Sequence, residues 1–189
     1  MKTGDVSKKR GFTIIEVSLV LAIAGLIFMM IFVALPALRR TQRNTDRRED
    51  ITTLLKKVKD YQANNRGALP GGSDNIDSGI NVAWGSITSA DKETSWAGFY
   101  RDYLGERFID PDGERYQLSV AKCSSGGTLK VDDECAVGIT EDTPFPNDYK
   151  MMIIVQAKCY GEKAVAVANP HKIAVMYRMD GAGVYCDNT

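Results

Sequence analysis

The chain has 189 residues and a formal net charge of zero at pH 7, a size that suits one modest domain with or without an anchor. Basic and acidic side chains are equal in number, 24 of each, which argues against a globally basic nucleic-acid binder. The single histidine, His171, excludes any zinc site that needs two histidines, and the sequence contains neither of the two common glycine-rich phosphate-binding motifs.

The first predicted element is a membrane-spanning helix. Residues 17–38 contain no charged side chain, and residues 11–16 contain only one, Glu16. About 20 consecutive apolar residues cross the hydrocarbon core of a bilayer, and a helix that is apolar on every side is not expected in a soluble domain. A basic run at residues 8–10 precedes this segment, as in an export signal. Ordinary secretory cleavage after Ala24 is a poor alternative, because it would divide the apolar segment in two.

The junction between the basic head and the apolar segment carries a specific motif. Residues 9–16 read Lys-Arg-Gly-Phe-Thr-Ile-Ile-Glu, which resembles the class III signal of type IV pilins and their pseudopilin relatives. In that family a prepilin peptidase cuts after the glycine and methylates the new amino terminus, so the resemblance assigns cleavage and N-methylation to Gly11 and Phe12. The implied division is a leader peptide (1–11), a hydrophobic transmembrane and assembly helix (12–38) and an extracytoplasmic pilin head (39–189) that includes the amphipathic half of the long helix.

Glu16 is the one acidic residue in the apolar segment and stands fifth after the expected cut. A charge in a membrane helix costs on the order of 2.5–3.5 kcal/mol at the bilayer centre and less near its edge, so such a residue usually faces a partner. Cleavage would create one, the amine of Phe12, one helical turn away. The resemblance implies that Glu16 pairs with the amine of a neighbouring subunit during assembly. The alternative is a carboxylate that lies only at the headgroup boundary.

The resemblance implies a structural protein with no catalysis and no cofactor or metal of its own. The expected act is polymerisation. Single-pass subunits wait in the cytoplasmic membrane, and a prepilin peptidase and the pilus assembly machinery turn them into a helical homo-oligomer, an extracellular filament on the cell surface. Such filaments serve adhesion, twitching motility or DNA uptake, although the sequence gives no sign that this chain contacts DNA. Two alternatives stay open: a pseudopilin of a type II secretion or competence system, and an exported enzyme held by a signal anchor.

The long helix is predicted to continue beyond the membrane. Residues 39–50 carry no apolar side chain and predict a solvated or interfacial stretch. Apolar residues then recur at helical spacing and predict a stripe that packs on a globular head; they are Ile51, Leu54, Leu55, Val58 and Tyr61. The helix should end near residues 65–67, and a fragment that begins near Ile51 should be a soluble monomer. Gly25 and Pro36 bracket a stretch of the membrane half that could kink or melt locally.

Beyond the helix, the sequence predicts a loop over residues 71–88, a short amphipathic helix from Trp96 to Leu104 closed by Gly105, and a sheet. The strand candidates are residues 116–121, 151–157, 164–168, 173–179 and 184–186. Short strands joined by tight turns predict an antiparallel sheet laid on the helix stripe. The predicted fold class is therefore α+β and type IV pilin-like, with a long N-terminal helix whose amphipathic half packs on a C-terminal antiparallel sheet.

All four cysteines, Cys123, Cys135, Cys159 and Cys186, lie in the distal part of the chain, and none belongs to a Cys-x-x-Cys pair. This usage favours disulfides in an oxidising compartment over a zinc or redox site. Three pairings are possible. We predict Cys123–Cys135, which would close a glycine-rich loop locally, together with Cys159–Cys186, which the resemblance also implies as a disulfide-bounded C-terminal region. The alternative is four reduced, buried thiols.

Two further groups have chemical potential. Asp110, Asp112 and Glu114 could bind calcium with one of the acidic residues 132–134, and some pseudopilins resemble this in using a calcium site near their sheet. Asp-Pro-Asp-Gly is also a type I turn sequence, and the prediction is a turn without metal. His171 follows an Asn-Pro pair between two predicted strands and is expected in an exposed loop. A His/Cys nucleophile pair would need a free thiol, which the disulfide prediction removes.

Charge is distributed unevenly along the predicted mature chain. Residues 39–60 hold eight basic and four acidic side chains, whereas residues 61–189 hold twelve basic and eighteen acidic ones. Opposite charges on two parts of one chain attract each other. The sequence therefore predicts that the basic stem is stabilised by acidic residues of the head or by lipid phosphates.

Overall fold

The computed structural model of the chain describes residues 11–72, 80–123, 130–135, 150–181 and 183–189. The chain divides into two compact units, Met1–Thr41 and Gln42–Thr189. Residues 1–10 of the predicted leader lie outside the described residues. We refer to the second unit, Gln42–Thr189, as the head.

Helix α1 (Ile14–Asn64) is 51 residues long and contributes to both units. It stays helical through Gly25 and Pro36, so this structure contains no melted stretch between them. At its C-terminal end Gly67 has a φ of 83° and its N–H donates to the Gln62 carbonyl at 2.7 Å. This bond is the one that closes a Schellman motif, in which Arg66, with a φ of 55°, holds the left-handed C′ position before Gly67. The helix therefore ends where the sequence predicts.

The sheet of the head has five strands among the described residues: β1 (Ile80–Ala83), β2 (Gln117–Lys122), β3 (Lys150–Val155), β6 (Ile173–Arg178) and β7 (Val184–Asn188). Their order across the sheet is β1-β2-β3-β6-β7. Strands β4 (Ala157–Tyr160) and β5 (Lys163–Ala166) form a separate antiparallel ribbon. A short helix α2 (Trp96–Phe99) continues into one π-helical turn (Tyr100–Leu104), and Gly105 follows with a φ of 67°.

The predicted α+β, pilin-like layout is confirmed, with three differences in detail. The pair β2–β3 is parallel, whereas every other pair of named strands is antiparallel. The predicted loop over residues 71–88 contains strand β1. The predicted strand 151–157 stops at Val155, because Gln156 has a φ of 63° and turns the chain into β4.

The main core of the head lies between the C-terminal half of α1 and one face of the sheet. Each apolar residue of the predicted helix stripe is 4% exposed or less, which confirms the stripe. Aromatic side chains fill the space beside it: the Tyr61 ring meets the rings of Phe99 and Tyr103 with centroids 5.8 and 5.4 Å apart. The other face of the sheet carries a smaller core of Ile154, Ala174 and Met176, which packs with residues of the β4–β5 ribbon.

Candidate functional site

The predicted cleavage site lies at an exposed helix start. Phe12 is 84% exposed, and α1 begins two residues later. Thr13 caps the helix, because its hydroxyl accepts a hydrogen bond from the Glu16 N–H at 3.3 Å and its carbonyl accepts one from the Val17 N–H at 3.3 Å. Thr-x-x-Glu is the sequence of a capping box. Glu16 therefore occupies the first turn, where the helix dipole favours a negative charge.

The segment that follows has an apolar surface that the chain does not cover. Large apolar side chains between Phe12 and Leu38 are 39–88% exposed. By length and composition this part of α1 is able to cross a membrane, and its most apolar 18-residue window has no buried residue. Soluble monomers rarely leave so long an apolar surface in water. This surface requires lipid, other protein chains, or both in turn.

The head contains a buried ion cluster centred on Arg47, whose side chain is 2% exposed. Its guanidinium forms a bidentate pair with the Asp110 carboxylate: Nε donates to Oδ2 at 2.8 Å, and Nη2 donates to Oδ1 at 3.0 Å. It also donates to Asp180 Oδ1 at 2.5 Å and to Asp112 Oδ2 at 2.7 Å. One arginine of α1 thus holds three carboxylates from two separate loops of the head.

Two neighbouring residues of α1 reinforce the grip on Asp180. Arg43 donates from Nε to Asp180 Oδ2 at 2.7 Å, and its Nη2 lies 2.6 Å from the same oxygen. Asn44 bonds the backbone of Asp180 in both directions, accepting from its N–H at 2.9 Å and donating to its carbonyl at 3.2 Å. We call this set the arginine cluster; its members are Arg43, Asn44, Arg47, Asp110, Asp112 and Asp180.

The arginine cluster keeps its carboxylates ionised. Burial alone would raise the pKa of Asp110, but bonds from Arg47, from the Asp112 N–H and from the Tyr177 hydroxyl, at 2.9 Å, outweigh it and lower that pKa. Burial likewise opposes ionisation of Asp180, and the bonds from Arg47 and Arg43 bring its pKa below the usual value. The charge of Arg47 is held in the same way: its pKa is raised despite the burial.

These directions predict an acid-sensitive head. A carboxyl group whose pKa is lower when folded stabilises the fold above its unfolded pKa, about 3.9 for Asp, and loses this effect as the pH falls toward the folded pKa. Asp50 has the opposite sign, because burial raises its pKa and its protonated form favours the fold. We expect the Asp110 and Asp180 effects to dominate, so that urea denaturation gives a lower free energy of unfolding at pH 3 than at pH 6. Equal free energies of unfolding at pH 3 and pH 6 would contradict this expectation. Asp102→Asn is the control, because it removes an exposed ion pair with Arg101 and should leave most of the pH difference in place.

The acidic pair that the sequence offers for calcium is therefore already bonded to a cation. Asp110 begins a tight turn in which its carbonyl accepts from the Gly113 N–H at 2.7 Å, and Arg47 meets both Asp110 and Asp112. Within the described part of the chain, no group of three or more His, Cys, Asp or Glu side chains is placed to hold a metal ion. Asp132 and Glu134 instead pair with lysines of the β4–β5 ribbon: Lys158 Nζ lies 2.6 Å from Asp132 Oδ1, and Lys163 Nζ donates to Glu134 Oε2 at 2.9 Å.

The predicted attraction between basic stem and acidic head is confirmed at Arg43 and Arg47, whose partners are acidic residues of the head. The expectation that residues 39–50 are all solvated or interfacial is wrong for Arg47. The spacing contains the missed signal: Arg43 and Arg47 stand eight and four residues before Ile51, so they extend the buried stripe of α1. A soluble fragment that begins at Ile51 would lose this arginine, and the unit itself begins at Gln42.

The cysteines form two disulfides, Cys123–Cys135 and Cys159–Cys186, the same pairs that the sequence analysis predicts. No cysteine is free, so the structure offers no thiol partner to His171. That histidine is exposed in the loop before β6, and its backbone carbonyl accepts a bond from Gln62 Nε2 at 2.9 Å. Cys159 lies in β4 and Cys186 in β7, so the second disulfide ties the ribbon to the last strand of the sheet.

Comparison with known families identifies the amino-terminal segment. Residues 6–32 match the prokaryotic N-terminal methylation motif. This motif is the class III signal that is characteristic of type IV pilins and pseudopilins. The chain therefore carries the signal and apolar helix of that class, joined to a head with a pilin-like α+β layout. Neither the curated proteins nor the solved structures contain a match to this chain.

Proposed function

We propose that the chain is a structural subunit of a type IV pilus, cut between Gly11 and Phe12, N-methylated on Phe12, and polymerised through the apolar part of α1. The observation that carries this proposal is the methylation motif at residues 6–32, which includes the start of a long, uncovered apolar helix surface. A lipid bilayer covers such a surface in the stored subunit, and the helices of neighbouring subunits cover it in a filament. The same surface thus serves both states.

The exposed helix start supports a role for Glu16 in assembly. Its side chain is exposed in the first turn, while its N–H is bonded to Thr13. Cleavage leaves a positive amine on Phe12, and in an apolar bundle that amine needs a negative partner. We propose that Glu16 of one subunit receives the amine of another and fixes the axial register, because a slip of one turn would leave both charges unpaired.

The proposal extends to the route of the subunit. Prepilin peptidase removes the leader on the cytoplasmic side, and the assembly machinery then lifts the processed chain from the membrane into the filament. The head, with its two disulfides, faces the oxidising side of the membrane. No catalytic step belongs to the chain in this scheme.

Mass spectrometry of filaments sheared from cells tests this function. We expect this chain in the filament fraction, starting at N-methylated Phe12 and containing 178 of the 189 residues. A chain that starts at Met1 or after Ala24 would contradict the proposed processing. A processed chain that stays in the membrane fraction, in cells whose surface filaments lack it, would instead favour the pseudopilin alternative. Unprocessed chain with a hydrolytic or other enzymatic activity would favour the signal-anchored enzyme.

A further inference from the structure

The sequence contains two Asp-Gly dipeptides, Asp112-Gly113 and Asp180-Gly181, and the aspartate of each belongs to the arginine cluster. Among dipeptides that begin with aspartate, Asp-Gly is the most prone to isoaspartate formation, because glycine has no side chain to obstruct attack by its own backbone nitrogen, and the sequence contains no Asn-Gly. Chains that persist outside the cell are exposed to this slow reaction throughout their lifetime. The coincidence of both dipeptides with the same arginines calls for a physical explanation.

The reaction needs no external reagent besides water. The Gly181 backbone nitrogen attacks Cγ of the protonated Asp180 carboxyl group, a C–N bond forms, and one carboxyl oxygen leaves as water with the amide proton and the carboxyl proton. The product is a five-membered succinimide. Water then opens the ring at either carbonyl carbon. Opening at the former peptide carbonyl yields isoaspartate, with the main chain routed through Cβ and Cγ and no net change in mass.

The fold cannot avoid this liability by replacing the glycines. Gly113 has a φ of 93° and Gly181 a φ of 86°, and side chains other than that of glycine adopt this region only at a cost. Each turn therefore requires the residue that makes its aspartate vulnerable. The remaining means of protection is to restrain the carboxyl group.

The restraint is tight at Asp180. Arg43 bonds Oδ2 and Arg47 bonds Oδ1, so neither oxygen is available to leave without breaking an ion pair. Both pairs favour the ionised carboxylate, whereas the attack needs the neutral acid, a poorer partner for a guanidinium. Asn44 also holds the Asp180 backbone on both sides of Cα. Rotation of Cγ toward the Gly181 nitrogen has to disrupt several of these bonds together.

We propose that Asp180-Gly181 is an isoaspartate site of this chain and that Arg43 and Arg47 suppress its modification in the folded head. Asp112-Gly113 has a second safeguard, because the Gly113 N–H already donates to the Asp110 carbonyl at 2.7 Å. It depends less on Arg43, whose Nε lies 3.4 Å from Asp112 Oδ1. The two sites therefore differ in their expected response to loss of Arg43.

Peptide mapping of the aged full-length protein in detergent tests the proposal. Isoaspartate at each site is quantified by electron-transfer fragmentation after incubation at pH 7.4 and 37 °C, for the native chain, for the chain in urea, and for Arg43→Gln. We expect modification at Asp180 on the order of tenfold faster in urea, where the residue regains its conformational freedom. In folded Arg43→Gln we expect about a two- to fivefold increase at Asp180, as for loss of one partly exposed ion pair, and a smaller increase at Asp112.

Arg48→Gln is the matched control, because Arg48 is the exposed neighbour of Arg47 and stacks on Tyr185 instead of joining the cluster. It should age like the native chain. Equal rates at Asp180 in folded and urea-treated chain would overturn the proposal. So would Arg43→Gln ageing no faster than Arg48→Gln, which would assign protection to the turn backbone alone, or equal increases at Asp112 and Asp180, which would indicate general loosening. Thermal unfolding of each variant verifies that the compared chains are folded at 37 °C.

Discussion

Replacing Arg47 with methionine is expected to destabilise the head by about 3–5 kcal/mol, the usual cost of removing one partner of a buried ion pair. Methionine keeps an unbranched side chain and much of the packing, but leaves Asp110 buried without its guanidinium partner. Domains of this size have a free energy of unfolding of roughly 5–15 kcal/mol, so the loss is a large share of the total. Urea denaturation of the fragment Gln42–Thr189 measures it directly.

Two further variants separate charge from packing. Arg48→Met changes the exposed neighbour on the same helix and should cost about 1 kcal/mol or less, mainly through its contact with Tyr185. The double variant Arg47→Met/Asp110→Asn removes the unpaired buried carboxylate and should recover part of the stability. Together with the single variants Arg47→Met and Asp110→Asn, it gives the coupling energy between the two positions. An Arg47→Met head as stable as Arg48→Met would show that the arginine cluster contributes little.

Replacing Glu16 with glutamine is expected to yield a processed subunit that stays in the membrane and is missing from filaments. Glutamine preserves the size and the capping-box chemistry with Thr13, so helix α1 should still start and insert normally. Only the carboxylate is lost. An amine on Phe12 that enters an apolar bundle without a carboxylate costs several kcal/mol, which corresponds to more than a tenfold reduction in incorporation.

The readout is the ratio of filament-bound to membrane-bound chain, measured for this subunit itself, together with its amino-terminal mass. Ser18→Ala serves as the control, because its hydroxyl donates to the Ile15 carbonyl within the same exposed turn, at 3.0 Å, and carries no charge. It should assemble like the native chain. Filaments that contain Glu16→Gln subunits at normal levels would reduce Glu16 to an interfacial residue with a local capping role.

Periodicity predicts the helices and most strands of this fold because each leaves a local signal. The stripe from Ile51 to Tyr61 recurs at helical spacing, and the strand that begins at Ile173 is a continuous run of buried residues. The sequence does not predict strand β1, because its four residues lie in a polar, glycine-rich segment. Its strand conformation depends on pairing with β2, which is distant in the sequence. The parallel pairing of β2 with β3 is a matter of topology, since residues 123–149 between them are long enough for a crossover connection.

The same distinction between local and long-range signals applies to the candidate functional residues. The segment around Gly11 and Glu16 is a continuous motif and is visible in the sequence. The arginine cluster joins residues 43–47 to residues at least 63 positions away in the sequence. A local sequence pattern does not predict contacts over such a separation. In the sequence, the signal that Arg47 lies on the buried face of α1 is its helical spacing from Ile51. Residue type alone predicts an exposed arginine, because a buried arginine needs acidic partners that the local sequence does not reveal.

The arginine cluster also lies within a few residues of Gln42, the first residue of the head, where tension on α1 would enter it. A pull along the apolar segment enters the head at Gln42, and Arg43, Asn44 and Arg47 meet it almost at once. Their shared partner, Asp180, follows strand β6 and precedes β7, whose Cys186 is covalently joined to Cys159. Three residues of α1 therefore bond one residue, Asp180, and the strand that follows it is joined to the ribbon by a disulfide. In the proposed filament, a load on α1 would therefore reach these bonds before it reaches the buried stripe that begins at Ile51.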